Sequence, residues 1–266
     1  MSMTIQRPLI ATLLAACSTA TAVRGATLFT DDFSDKTVGA IITDGLGPGG
    51  DRAGSSSADQ QVASNSGSPF GASNTYADIN DSSNTWGTLR SNTYTELSGA
   101  VSTFQFDFHE TSTGGSDVLT VGYAESGGTL PDRVRVNLDD GRITGLTTTV
   151  SNTYSLNTSY TMYLIFNDTG AAVNYAGGTV AAGTADVWIE DFGGGNATYA
   201  GSVNATGSQT ASYRVVFRSF STQTQQVYVD NVTAFTGAAA IPEPSSAFIL
   251  LGATGGLLLL HRRRAS

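Results

Sequence analysis

The stretch VSTFQFDFHE, residues 101–110, alternates strictly: Phe104, Phe106 and Phe108 interleave with Gln105, Asp107 and His109. Successive side chains of an extended chain point to opposite faces, so this period of two predicts a strand with one aromatic and one polar face. Similar runs recur at 117–126 (DVLTVGYAES), 133–138 (RVRVNL), 159–167 (SYTMYLIFN), 185–192 (ADVWIEDF), 212–220 (SYRVVFRSF) and 225–235 (QQVYVDNVTAF). No sustained helical period separates them; Gly, Asn, Asp and Ser clusters do, and Asp139-Asp140-Gly141 supplies the Asp-Gly step of a tight hairpin. The expectation is an all-β fold, an antiparallel β-sandwich with a single body over 27–237. Residues 45–74 are poor in apolar side chains and read as either a long surface loop or a mobile linker.

Charge narrows what this body meets. Between Asp31 and Asp230 eight basic residues stand against 21 acidic ones, a net of −13. Such a surface repels phosphate backbones and anionic headgroups, which argues against nucleic acid, while neutral glycans and divalent cations remain compatible with it. The sole cysteine is Cys17, so the body has no internal disulfide and no cysteine-bound zinc. His109 is its one histidine and shares a strand face with Asp107, a geometrically feasible pair, although a solvent-facing histidine is the plainer reading. Glu190 and Asp191 are adjacent on a strand and therefore point to opposite faces. Trp86, Tyr94, Tyr123, Tyr154 and Trp188 are the candidates for a sugar-stacking surface, against the simpler reading of each as core.

The two ends state a destination. Residues 1–26 run from Arg7 through a charge-free apolar segment, Leu9 to Ala16, to Ala20-Thr21-Ala22, the layout of a secretory signal peptide. Within it Leu14-Ala15-Ala16-Cys17 resembles a lipobox, the alternative in which Cys17 becomes a lipidated first residue. At the other end, residues 238–266 hold Pro242-Glu243-Pro244, an apolar run and Arg262-Arg263-Arg264. Read as a transmembrane helix, residues 245–261 span about 26 Å against a hydrocarbon core of about 30 Å. The arginines act as the membrane stop and hold the C-terminus in the cytoplasm.

This tripartite tail resembles the PEP-CTERM sorting signal of Gram-negative bacteria. The resemblance implies an exosortase-like processing enzyme as partner, an inner-membrane intermediate, and final residence at the cell surface or in the extracellular polysaccharide matrix. The strand order, opened by DDFSD at 31–35 and closed by VYVDNVTAF at 227–235, resembles concanavalin-like and laminin-G-like jelly rolls. In such folds the first and last strands pair, which would let Asp31, Asp32 and Asp35 converge with Asp230 and Asn231 on a structural calcium, the one cofactor considered. The Glu-x-Asp-x-x-Glu strand of laminarinase-type enzymes is absent. The expectation is a non-enzymatic structural or adhesive protein, with a carbohydrate-binding module and, behind it, a glycoside hydrolase acting through a carboxylate such as Glu190 or Glu110 as alternatives.

Overall fold

The computed structural model describes residues 25–54, 61–81, 86–111, 119–128, 131–147, 153–219 and 225–241. Residues 1–24 of the expected signal peptide, Cys17 among them, and all of Pro242 to Arg264, with the expected membrane helix, lie outside the described residues. Among the described residues no helix is long and apolar enough to cross a membrane.

The strands in chain order are β1 (Thr27–Asp31), β2 (Asp51–Gly54), β3 (Gln61–Ala63), β4 (Tyr76–Asp81), β5 (Gly87–Arg90), β6 (Val101–Glu110), β7 (Leu119–Glu125) and β8 (Val134–Asp139). They continue with β9 (Arg142–Thr144), β10 (Ser159–Asn167), β11 (Val173–Tyr175), β12 (Gly178–Val180), β13 (Thr184–Asp191), β14 (Ala197–Asn204), β15 (Tyr213–Ser219) and β16 (Gln225–Thr236). An eight-stranded sheet runs β14-β13-β10-β6-β16-β4-β3 with β1 also on β16, and a six-stranded sheet runs β2-β5-β15-β7-β8-β9. All ladders between named strands are antiparallel, and β11-β12 forms a separate hairpin.

The alternation read from the sequence sets which side faces in. Phe104, Phe106 and Phe108 are fully buried between the sheets, as are Met162, Leu164 and Phe166 of β10 and Val215 and Phe217 of β15. Phe217 crosses the gap to meet Phe104 at 5.3 Å and Phe106 at 4.9 Å, the latter edge-on. Each such side chain stabilises the fold by roughly 1.5–3 kcal/mol through apolar burial. The Asp-Gly step forms the β8-β9 hairpin: Asp140 and Gly141 take φ of 50° and 74°, both left-handed, as a two-residue turn of the primed type requires.

The described parts of residues 45–74, 45–54 and 61–74, hold more regular structure than their composition predicts. β2 lies along β5 and β3 along β4, both at sheet edges, while Leu46, Val62 and Phe70 are buried. Edge strands are held by backbone pairing on one side, so a few anchored apolar residues suffice where a central strand needs many. Residues flanking 27–237 also contact the body. Gly25 donates to the Thr236 carbonyl, Thr236 donates to that of Ala26, and Ala239 and Ile241 pack on the outer face of the large sheet.

Two buried acids close the ends of the sandwich. Glu110, fully buried, accepts the backbone N–H groups of Asp140 and Gly141 at 3.1 Å each and the Tyr154 hydroxyl, clamping the β8-β9 turn. At the opposite end Asp168 pairs with Arg133 at 2.7 Å, both buried, and accepts from Gly99 N–H at 2.9 Å. Arg133 also donates to the carbonyls of Thr206 (2.8 Å) and Gly207 (2.7 Å), so one guanidinium ties three loops.

Candidate functional site

The outer face of the large sheet gathers polar and aromatic side chains in rows set by strand register. One row runs Glu190, Thr161, Asp107 and Asp230 across β13, β10, β6 and β16. The next runs Ser159, His109, Tyr228 and Asp78 across β10, β6, β16 and β4. These residues alternate with core residues along each strand, so the apolar inner pattern carries this outer one with it.

Every acid of these rows is held by uncharged donors. Asp107 accepts from Thr161 and, at 2.7 Å, from Asn231. Glu190 accepts from the Tyr163 hydroxyl at 2.7 Å and from Gly195 N–H. Nearby, Asp186 receives the Tyr175 hydroxyl at 2.8 Å. Asp230 accepts from Asn74, while its Oδ1 is buried with no hydrogen-bond partner among the described residues. Burial raises the carboxyls of Asp78, Asp107 and Asp186 above their ordinary value. Asp230 is pushed up to about 7, first by desolvation and then by the like charges of Asp107 and Asp32.

The expected His109 and Asp107 do share this face, but they are not a catalytic couple. Both Asp107 oxygens are engaged by Thr161 and Asn231, and His109 Nδ1 lies 3.0 Å from Ser159 Oγ instead. The Ser159 hydroxyl also reaches the Pro69 carbonyl at 2.9 Å. His109 is half-buried rather than simply solvent-facing, stacked on Tyr228 at 5.9 Å, and burial lowers its pKa. A serine–histidine contact without an orienting carboxylate lacks the third group of a hydrolytic triad. The sequence offered no signal for the Ser159 contact, which joins residues 50 apart.

Of the aromatic candidates, Tyr123 and Tyr154 belong to the core and Tyr94 stacks on Phe29 at 5.9 Å. Trp86 lies beneath the Arg218 guanidinium, 4.8 Å from ring to cation. Trp188 remains half-exposed, tilted against the exposed Tyr199 at 5.2 Å, with its ring N–H donating to Tyr175 Oη at 2.8 Å. Trp188, Tyr199 and Asp186 together offer an aromatic edge beside a hydrogen-bonding carboxylate, chemistry compatible with a sugar ring.

The first and last strands pair, Asp31 opposite Val232, and Asp32 stands near enough for its charge to raise Asp230, but the calcium candidates have other partners. Asn231 sits at a bulge with φ of 48°, which leaves Val232 in the core and Asp230 on the outer face. Asp31 is spent on the N–H groups of Phe33 (3.0 Å) and Gly47 (2.7 Å), and Asp32 caps Ser34. Lys36 bridges Asp35 and Asp44 at 3.1 and 2.8 Å, a built-in cation beside them. Among the described residues no group of three or more histidine, cysteine or acidic side chains is arranged to hold a metal ion. The buried Glu110 is a clamp of the β8-β9 turn, away from this outer face.

No protein-family model and no curated protein matches the chain. Among solved structures it is similar to peanut lectin with a nonapeptide, at 12% identity and a TM-score of 0.47, covering 80% of this chain and 98% of that one. Basic winged bean lectin with Tn antigen gives 12%, 0.45, 70% and 92% on the same measures. The exoplasmic/lumenal domain of VIP36 in its calcium- and glycan-bound form gives 9%, 0.45, 78% and 90%. Likenesses of this extent carry no argument about what the chain binds.

Proposed function

We propose that this chain is an exported protein of the cell surface or extracellular matrix, sorted through its C-terminal signal by an exosortase-like enzyme and acting there as a structural or adhesive component. The body is then a concanavalin-like jelly roll carried outward by the signal peptide and held in the inner membrane until processing. The observation that carries the reading is that packing on the large sheet reaches right up to the sorting motif. Ile241 is seated on the large sheet, 4% exposed, and the next three residues are Pro242-Glu243-Pro244. A processing enzyme working at that motif would find a folded body on one side and a membrane tail on the other.

The test is mass spectrometry of both termini of the protein recovered from medium and from membranes of its native host. A mature end near Pro244 with the Leu-Arg tail gone is expected; an intact tail confined to the membrane fraction sinks the sorting reading. A carbohydrate-binding role is the second reading, favoured by Trp188 and Tyr199 flanking Asp186 on the outer face. It predicts weaker retention on the host's own exopolysaccharide for Trp188→Ala, and fails if retention is unchanged.

A further inference from the structure

A groove of about 350 Å³ opens at the edge of the sandwich where the β8-β9 hairpin meets the end of β14. Its lining includes Arg135, Asn137, Asp132, Thr147, Asn204 and Thr206. We propose that this groove binds an acidic saccharide, a uronic-acid unit of an anionic polysaccharide, with the Arg135 guanidinium receiving its carboxylate.

The walls are fixed before any ligand arrives. Thr206 N–H donates to the Arg133 carbonyl at 2.8 Å, and the Arg133 side chain, locked on buried Asp168, holds the carbonyls of Thr206 and Gly207. Opposite, Thr147 donates to the Ser202 carbonyl through both its N–H (2.7 Å) and its hydroxyl (2.8 Å). On the floor the Asn137 amide is oriented by Thr120 (3.1 Å) and Thr144 (3.4 Å). Polar groups held in place this way lose little entropy on meeting hydroxyls, while Pro131, Gly145 and Val203 leave apolar surface for the carbon face of a ring.

The body as a whole is net −13 and repels polyanions at a distance, so it is the local charge within the groove, acting inside a Debye length, that selects the ligand class. Among the residues of the small sheet's outer face, Arg90 grips Asp51 with both ends of its guanidinium at 2.6 and 2.7 Å, and Arg214 reaches the same carboxylate at 3.4 Å. Arg135 is exposed and joins no salt bridge among the described residues; Asp132, its neighbour in the groove, accepts instead from Glu125 N–H. Like-charge repulsion from Arg135 helps lower the Arg218 pKa, behind desolvation. By ordinary sheet spacings, two strands over and one side-chain repeat along, their backbone positions stand roughly 12 Å apart. That spacing suits a chain that repeats its charge. A guanidinium pairs with a carboxylate in two parallel hydrogen bonds, which a neutral glycan cannot supply.

The inference deepens the matrix role proposed above, but its test does not depend on processing of the tail. Full-length protein in mild detergent is measured against immobilised polygalacturonate, neutral dextran and double-stranded DNA at about 50 and about 500 mM salt, the higher screening exposed charges. The expected result is binding to polygalacturonate alone, weakened about tenfold by Arg135→Ala, the scale of one lost charge-assisted pair. It should also weaken with Asn137→Ala and stay within about twofold for Lys36→Ala, a change away from the groove. Absence of binding to polygalacturonate, binding that survives Arg135→Ala, or equal binding to DNA each overturns the proposal. If the terminal mass spectra show an unprocessed protein while polygalacturonate is still bound through Arg135, the sorting reading falls and the groove stands.

Discussion

The outer faces of the two sheets handle charge in opposite ways. On the large sheet, Asp78, Asp107, Asp186, Glu190 and Asp230 meet phenols, hydroxyls, amides and backbone N–H groups, and none forms a salt bridge among the described residues. The β11-β12 hairpin and residues 237–241 fold over part of this face, building a second small core around Tyr163, Ile165, Phe235 and Ile241. On the small sheet, arginines share Asp51 or stack on Trp86, and Arg135 projects into solvent. The first arrangement spends its polar groups on structure, and burial raises the carboxyls of Asp78, Asp107, Asp186 and Asp230. The second keeps full charge at the surface, where it can act on a partner.

The contrast can be broken most forcefully at Ile165, fully buried beneath the hairpin. Ile165→Ala should cost about 2–5 kcal/mol in urea unfolding; a change of a few tenths would mean the cover contributes nothing. Tyr163→Phe removes a donor to Glu190 and should cost about 1.5–3 kcal/mol, the scale of a hydrogen bond to a charged group, read by calorimetry. The Asp230 carboxyl, ordinarily ionising near 3.8, is held protonated up to about 7 in the fold. Stability from this group is therefore complete below the lower value and falls as pH climbs between the two. Asp230→Asn should leave the melting temperature unchanged near pH 4 and raise it near pH 8; equal shifts at both would remove the carboxyl from the account. Arg135→Ala should alter unfolding free energy by no more than about 0.5 kcal/mol, which sharpens the contrast if polyanion binding is lost at the same time.

How far the sequence anticipates this molecule depends on which interaction decides each element. The strand SYTMYLIFN is β10 residue for residue, and the Asp-Gly hairpin forms where expected, because local pattern and turn chemistry settle both. β2, β3, β14 and the β11-β12 hairpin have no clean alternation; edge pairing and a partner surface elsewhere in the chain decide them. The pairing of the first and last strands was legible, but the return of Val232 to the core directly after Asp230 and Asn231 was not, since it turns on one left-handed residue, Asn231. Neither the His109–Ser159 contact nor the Arg135 groove leaves a trace in local sequence, as each joins residues that only the fold brings together.

The position of β16 has a consequence in time. This last strand lies between β6 on one side and β4 and β1 on the other, so the interior of the large sheet stays open until residue 236 has been made. Contacts that join the two ends of a chain form late and slowly. Under the export proposed above, a polypeptide delivered from its N-terminus would reach the far side of a translocation pore before it could close its own sheet. The strand order would then favour passage in an extended state, with the fold completed only once the last strand of the sheet had emerged.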